Sequence, residues 1–140
     1  MKLFQIEEPD GAVVDRDAPG AAVGIELAGS LARVAIAIGG NAEILPDADG
    51  NRALDAAGAA LPDLLLALRA RAEKQLARPA THAVIAADGD RDALSRAAAQ
   101  AGLQILRLVT RVEATKIGGK SDDGAALGAA IIAEDLSPHE

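Results

Sequence analysis

The sequence predicts a single α/β domain built on a mixed sheet, in the order β-β-β-α-β-α-β-α. Three observations predict it. Apolar residues alternate with period two through three short runs joined by glycine turns. A helical repeat of leucines follows them. Short buried strands and capped helices then alternate to the end of the chain.

Met1–Glu8 alternates weakly through Leu3, Phe4 and Ile6, and 9–20 is rich in Asp, Pro and Gly. Residues 1–20 are therefore expected to be an arm and linker, and 21–140 one domain. Ala21–Leu27 is the first strand, Ala28-Gly29-Ser30 its turn, and Arg33–Ile38 the second strand, with Val34, Ile36 and Ile38 alternating against alanine. Gly39-Gly40-Asn41 turns the chain into a third strand, Ala42–Leu45. Asp47-Ala48-Asp49-Gly50-Asn51 looks superficially like a calcium loop. A twelve-residue loop would close on an acid where this chain has Gly58, so a plain turn is expected.

Leu61, Leu64, Leu65, Leu68, Ala72 and Leu76 share one helical face, with Pro62 in the first turn and Pro79 beyond the end. Arg69, Arg71, Glu73 and Lys74 are assigned to the wet face. Thr81–Ala87 is a buried strand, and 91–101 a helix stopped by Gly102. Asp88 and Asp90 before that helix are expected to act as caps rather than as a catalytic carboxylate pair. Gln104–Val109 is a strand and Gly118–Ser121 a loop. Ser121 or Asp122 would cap a last helix carrying Leu127, Ile131 and Leu136. This order is the layout of a ribonuclease-H-like, or actin-like, domain.

Composition narrows the function. Phe4 is the only aromatic residue, so the core must be built from Ala, Leu, Ile and Val. A net charge of −7, without a basic stripe or stacking rings, argues against nucleic acid. There is no cysteine, and His82 and His139 are far apart, so no metal site is expected. Apolar runs all break well before the ~18 residues of a membrane span, and no basic-then-apolar leader opens the chain. The expected compartment is the cytoplasm.

The residues themselves resemble a family. Val23-Gly24-Ile25-Glu26-Leu27-Ala28-Gly29-Ser30 with Val34-Ala35-Ile36 is similar to the V-G-I-D-L-G-T-T-N-S-x-V-A-V opening of DnaK-type chaperones. Glu43-Ile44-Leu45 and the Asp47–Gly50 turn resemble the third strand and turn of that family. Ala83-Val84-Ile85 resembles its A-V-I-T-V-P-A strand, and Asp92, Arg96, Ala97, Ala101-Gly102-Leu103 and Ile105–Val109 resemble D-x-Q-R-x-A, A-G-L and V-L-R-L-I. Asp123–Ala130 is similar to the closing helix, D-E-A-V-A-x-G-A-A. Leu3, Gln5, Ile6, Glu8 and Pro9 resemble the leader of the HscA-type branch, which serves iron–sulfur cluster assembly.

The resemblance implies the first lobe of a two-lobed ATPase, and the departures imply that catalysis is lost. Only about a dozen residues separate Val109 from the closing helix, where the family inserts its second lobe. The insertion carrying the family's catalytic Lys is absent. The family's Asp is Glu26, its Gly is Ala28, and its threonines are replaced by Gly29 and Ser30. N-E-P-T corresponds to Thr110-Arg111-Val112-Glu113, so the acidic position is Arg111. Phosphoryl transfer depends on positioned metal and charge.

The expectation is a non-catalytic protein-interaction module. Its partners would be a full-length chaperone or co-chaperone, the iron–sulfur assembly machinery, or a second copy in a homodimer. Apolar surface that once faced the missing lobe would supply the contact. The alternative is an ATP/ADP sensor using Mg, without efficient hydrolysis. Its candidate nucleotide-binding residues are Gly24, Glu26, Ala28, Gly29, Ser30, Gly119, Lys120 and Ser121. Ala114-Thr115-Lys116-Ile117-Gly118-Gly119-Lys120-Ser121 approaches a P-loop but starts on Ala and runs into Asp122-Asp123, which favours a capped connecting loop. Gly124, Gly128 and Ile132 on the last helix suit either core packing or a self-association face.

Overall fold

The computed structural model describes residues 19–137. The leader 1–8, the linker up to residue 18, the chaperone-like positions Leu3 to Pro9 and His139 lie outside the described residues. Strands β1 (Ala21–Ala28) and β2 (Leu31–Ile38) form a hairpin with Gly24 opposite Ala35 and Glu26 opposite Arg33. β3 (Asn41–Ile44) returns along β2 after Gly39 and Gly40, whose φ values of 61° and 83° give the twist a two-residue hairpin requires. β4 (Leu54–Asp55) is two residues long and pairs with the start of β2.

Helix α1 (Leu61–Leu76) leads to β5 (Ala80–Ala86), parallel to β1, and α2 (Arg91–Gln100) to β6 (Gln104–Val109), parallel to β5. Helices α3 (Arg111–Gly118) and α4 (Gly124–Leu136) complete the described chain. The strands lie in the order β3-β2-β1-β5-β6, with β4 paired to β2 off that path. The mixed α/β architecture follows the sequence reading, with β4 and α3 added to the expected elements.

Alternation along the strands divides the core into two layers. Val23, Ile25, Val34, Ile36, Ala83 and Ile85 face α1 and α2, meeting Leu65, Leu68, Ala72, Leu94 and Ala98. Val84, Ala86 and Val109 face the other way, onto Ala125, Ala129 and Ala133 of α4, while Ala35, Ala37 and Ile44 meet Ala126 and Ala130. The second layer is mostly alanine, so the backbones approach closely. A Cβ on Gly24 would sit 2.6 Å from the carbonyl carbon of Ala129, well inside the ~3.5 Å of an ordinary carbon contact. Gly24 is therefore the point where α4 touches the sheet.

Several local readings are corrected by this packing. The buried face of α4 is made by its small residues and Ile132, while Leu127 and Ile131 are only half-buried and Leu136 is exposed. The helix has its N-cap at Asp123, not Ser121 or Asp122. Glu73 is buried rather than wet, because it accepts hydrogen bonds from Arg69 Nε (3.2 Å) and the Ala80 N–H (2.9 Å) where α1 hands over to β5. Segment 114–118 is helical, not loop, in α3. Its start is set by a capping box at Thr110 and Glu113.

Candidate functional site

Glu26 lies near the C-terminal end of β1 on the α4 face, in register with Gly24 and Ala28. It is 2% exposed. A carboxylate buried so deeply is costly unless its charge is matched. Both of its oxygens are engaged. Arg33, directly across the hairpin, donates from Nη1 to Oε1 at 2.9 Å. Arg111, the first residue of α3, donates from Nε to Oε2 at 3.3 Å.

The pairing continues on both sides. Asp88, in the turn after β5, accepts from the Arg111 N–H at 3.2 Å and lies 3.7 Å from its Nη1. On the other side, Arg33 Nε lies 3.1 Å from Asp123 Oδ1, and Asp123 Oδ2 accepts from Arg52 Nε (3.1 Å) and Nη2. Acids and bases thus alternate as Asp88, Arg111, Glu26, Arg33, Asp123 and Arg52. The network ties the strand ends, the α3 start and the α4 start together.

The first turn of α3 is fixed separately. Thr110 Oγ1 accepts from the Glu113 N–H (3.1 Å) while Glu113 Oε1 accepts from the Thr110 N–H (2.9 Å). The hydrogen bonds from Thr110 hold the Glu113 carboxyl below its usual range. In the turn after β3, Asn51 and the Asp49 N–H likewise hold Asp47 below its usual range, with its carboxylate closing a backbone turn. Of the two acids before α2, Asp90 caps the helix by accepting from the Asp92 N–H, whereas Asp88 serves Arg111.

The candidate nucleotide-binding residues are dispersed. Gly24 lies under the α4 backbone, out of reach of a ligand. Glu26 has both oxygens taken by arginines. Ala28, Gly29 and Ser30 make a tight hairpin turn, with Gly29 at φ 63° and the Ser30 carbonyl accepting from the Ala56 N–H. Gly119 ends α3, and its N–H is donated to the Thr115 carbonyl, so it is not part of an anion nest. Lys120 and Ser121 are exposed.

The three interaction-face candidates are buried. Gly128 lies against the Ala114 carbonyl, and Gly124 against Gly119, beside the close contact of Gly118 with α4. Ile132 belongs to the cluster around Val84 and Val109. These residues pack α3, α4 and the sheet together and present no free face.

Two openings flank the Asp88–Arg111 pair. One, of about 620 Å³, is lined by Asp88, Arg111, Val112, Thr115, Lys116, Gly119 and Lys120. The other, of about 360 Å³, includes Leu27, Gly29, Leu61, Asp90 and Leu94. Sequence reasoning missed Arg33, Arg52 and Asp123 as members of the central network. The first was derivable, because a two-residue turn at Gly29-Ser30 sets Arg33 opposite Glu26. No protein-family model matches the chain, and no curated protein matches it.

Proposed function

We propose that the chain is a non-catalytic protein-interaction module with a ribonuclease-H-like lobe, related to the first ATPase lobe of DnaK-type chaperones of the HscA branch. The observation that carries the reading is the double arginine pairing of Glu26. In a phosphoryl-transfer site, an acid at the end of the first strand must be free to organise a metal and its water. Here that acid is enclosed, and the position where the family carries a second acid supplies one of the arginines. The strand order β3-β2-β1-β5-β6, with β1 parallel to β5 and antiparallel to β2, supports the lobe-like fold. Val112 and Ile117 stand exposed on α3, 65% and 49% accessible, and support work through protein contacts.

On this reading the module acts beside a full-length chaperone or the iron–sulfur assembly machinery, or pairs with itself. Light scattering of the purified chain, alone and mixed with a DnaK- or HscA-type chaperone, tests it. A dimer or a stoichiometric complex is expected. A monomer that binds neither would overturn the reading. An ATP/ADP sensor is less well supported, because its candidate residues are spread over a covered strand, a hairpin turn and a helix end. A rise in melting temperature with MgATP or MgADP that tripolyphosphate does not reproduce would bring it back.

A further inference from the structure

We propose that the 620 Å³ cavity beside α3 is a binding site for a small multivalent organic anion, its charge supplied by phosphoryl or carboxylate groups. The protein carries twenty-one acidic and fourteen basic residues, yet this cavity is lined by Arg111, Lys116 and Lys120 against the single acid Asp88. Asp88 is already committed to the Arg111 N–H and guanidinium, and Glu113 on the same helix is turned back to Thr110. Among the described residues no carboxylate lies within ion-pairing distance of Lys116 or Lys120. Three cations against one committed acid make the cavity lining positive in a protein that is negative as a whole, which favours anions.

Position and size point the same way. The cavity opens beside Asp88, which follows β5, and Arg111, which follows β6, at the C-terminal ends of these parallel strands. Open α/β sheets bind ligands outside the carboxyl ends of their strands. The crevice beside Glu26 is closed by its arginines, and α3 moves the usable opening to its own outer side. A volume of about 620 Å³ exceeds the needs of an inorganic ion and falls in the range of small-molecule sites. Two lysines act as adaptable point charges rather than a rigid fork. The ligand is thus selected by its number of charges, with Thr115 as hydroxyl partner and Val112 as an apolar wall.

Titration of isotope-labelled protein with glucose 1,6-bisphosphate and, separately, citrate tests the site by amide chemical shift. Saturable shifts confined to Val112, Thr115, Lys116, Gly119 and Lys120 are expected, with the tighter probe identifying the phosphoryl or carboxylate source. The exposed pair Lys116→Gln and Lys120→Gln keeps the fold and is expected to weaken binding at least tenfold, or about 1.4 kcal/mol. Non-saturable or scattered shifts, or equal affinity in the double variant, would overturn the proposal. A monomer without protein partners would sink the module reading and leave this site standing.

Discussion

Replacing Arg33 with Met tests whether the pairing of Glu26 holds this end of the sheet. Arg33 is 13% exposed and Glu26 2%, so solvent screens the pair little. At 2.9 Å and an effective dielectric of about 20, the direct attraction is about 6 kcal/mol before desolvation is subtracted. Removing one partner of a buried pair costs about 3–5 kcal/mol, because the remaining charge is left uncompensated. Arg111 still reaches Glu26 at 3.3 Å, which places the expected loss at the lower end, about 3 kcal/mol. The matching Arg111→Met change removes a side chain that is 44% exposed and partly screened, so about 1 kcal/mol is expected.

Urea denaturation, read at constant m, gives both values. A cycle with Glu26→Gln completes the test: neutralising the acid removes the stranded charge, so the double variant should recover about 2 kcal/mol relative to the sum of the single losses. Equal losses for Arg33→Met and Arg111→Met, or strict additivity with Glu26→Gln, would show that Arg33 does not compensate the buried charge of Glu26.

Three further outcomes follow from the packing and the caps. Gly24→Ala drives a methyl into the α4 backbone and should cost about 3 kcal/mol, lowering the melting temperature by roughly 10 °C, while Gly29→Ala, with open space but φ 63°, should cost only about 1 kcal/mol in the same thermal melt. Ala77 closes α1 in the left-handed region at φ 58°, where glycine is unstrained, so Ala77→Gly should stabilise by about 1 kcal/mol in urea. The Glu113 carboxyl is held below its ordinary range, so its stabilising contribution is complete above the unfolded value and fades as pH falls through the folded one; Thr110→Ala should raise the folded value in a carboxyl-detected titration, and an unchanged value would exclude the box.

Much of the fold was legible because its signals are local. Period-two alternation and glycine turns place β1, β2 and β3, and the leucine face with Pro62 places α1. α3 was missed because its outer face is polar and β-branched, with only Ala114 fully buried. Its signal was the Thr110-x-x-Glu113 box. The leucines of α4 misled for a physical reason: a helix lying directly on Gly24 must bury its smallest residues, so the hydrophobic face is not the packed face. The site was legible only in part. Glu26 and Arg111 were each visible as charged residues at the ends of apolar runs, but their meeting joins residues that are 85 positions apart. Sequence spacing alone cannot bring α3 to the end of β1.

The most direct test of the central claim is calorimetric titration with MgATP, run beside a phosphate-release assay on the same sample. With Glu26 enclosed by Arg33 and Arg111, no release above the buffer rate is expected, and any heat is expected to be the same in Glu26→Gln. Phosphate release that disappears in Glu26→Gln would contradict this, since that carboxylate would then be free to work.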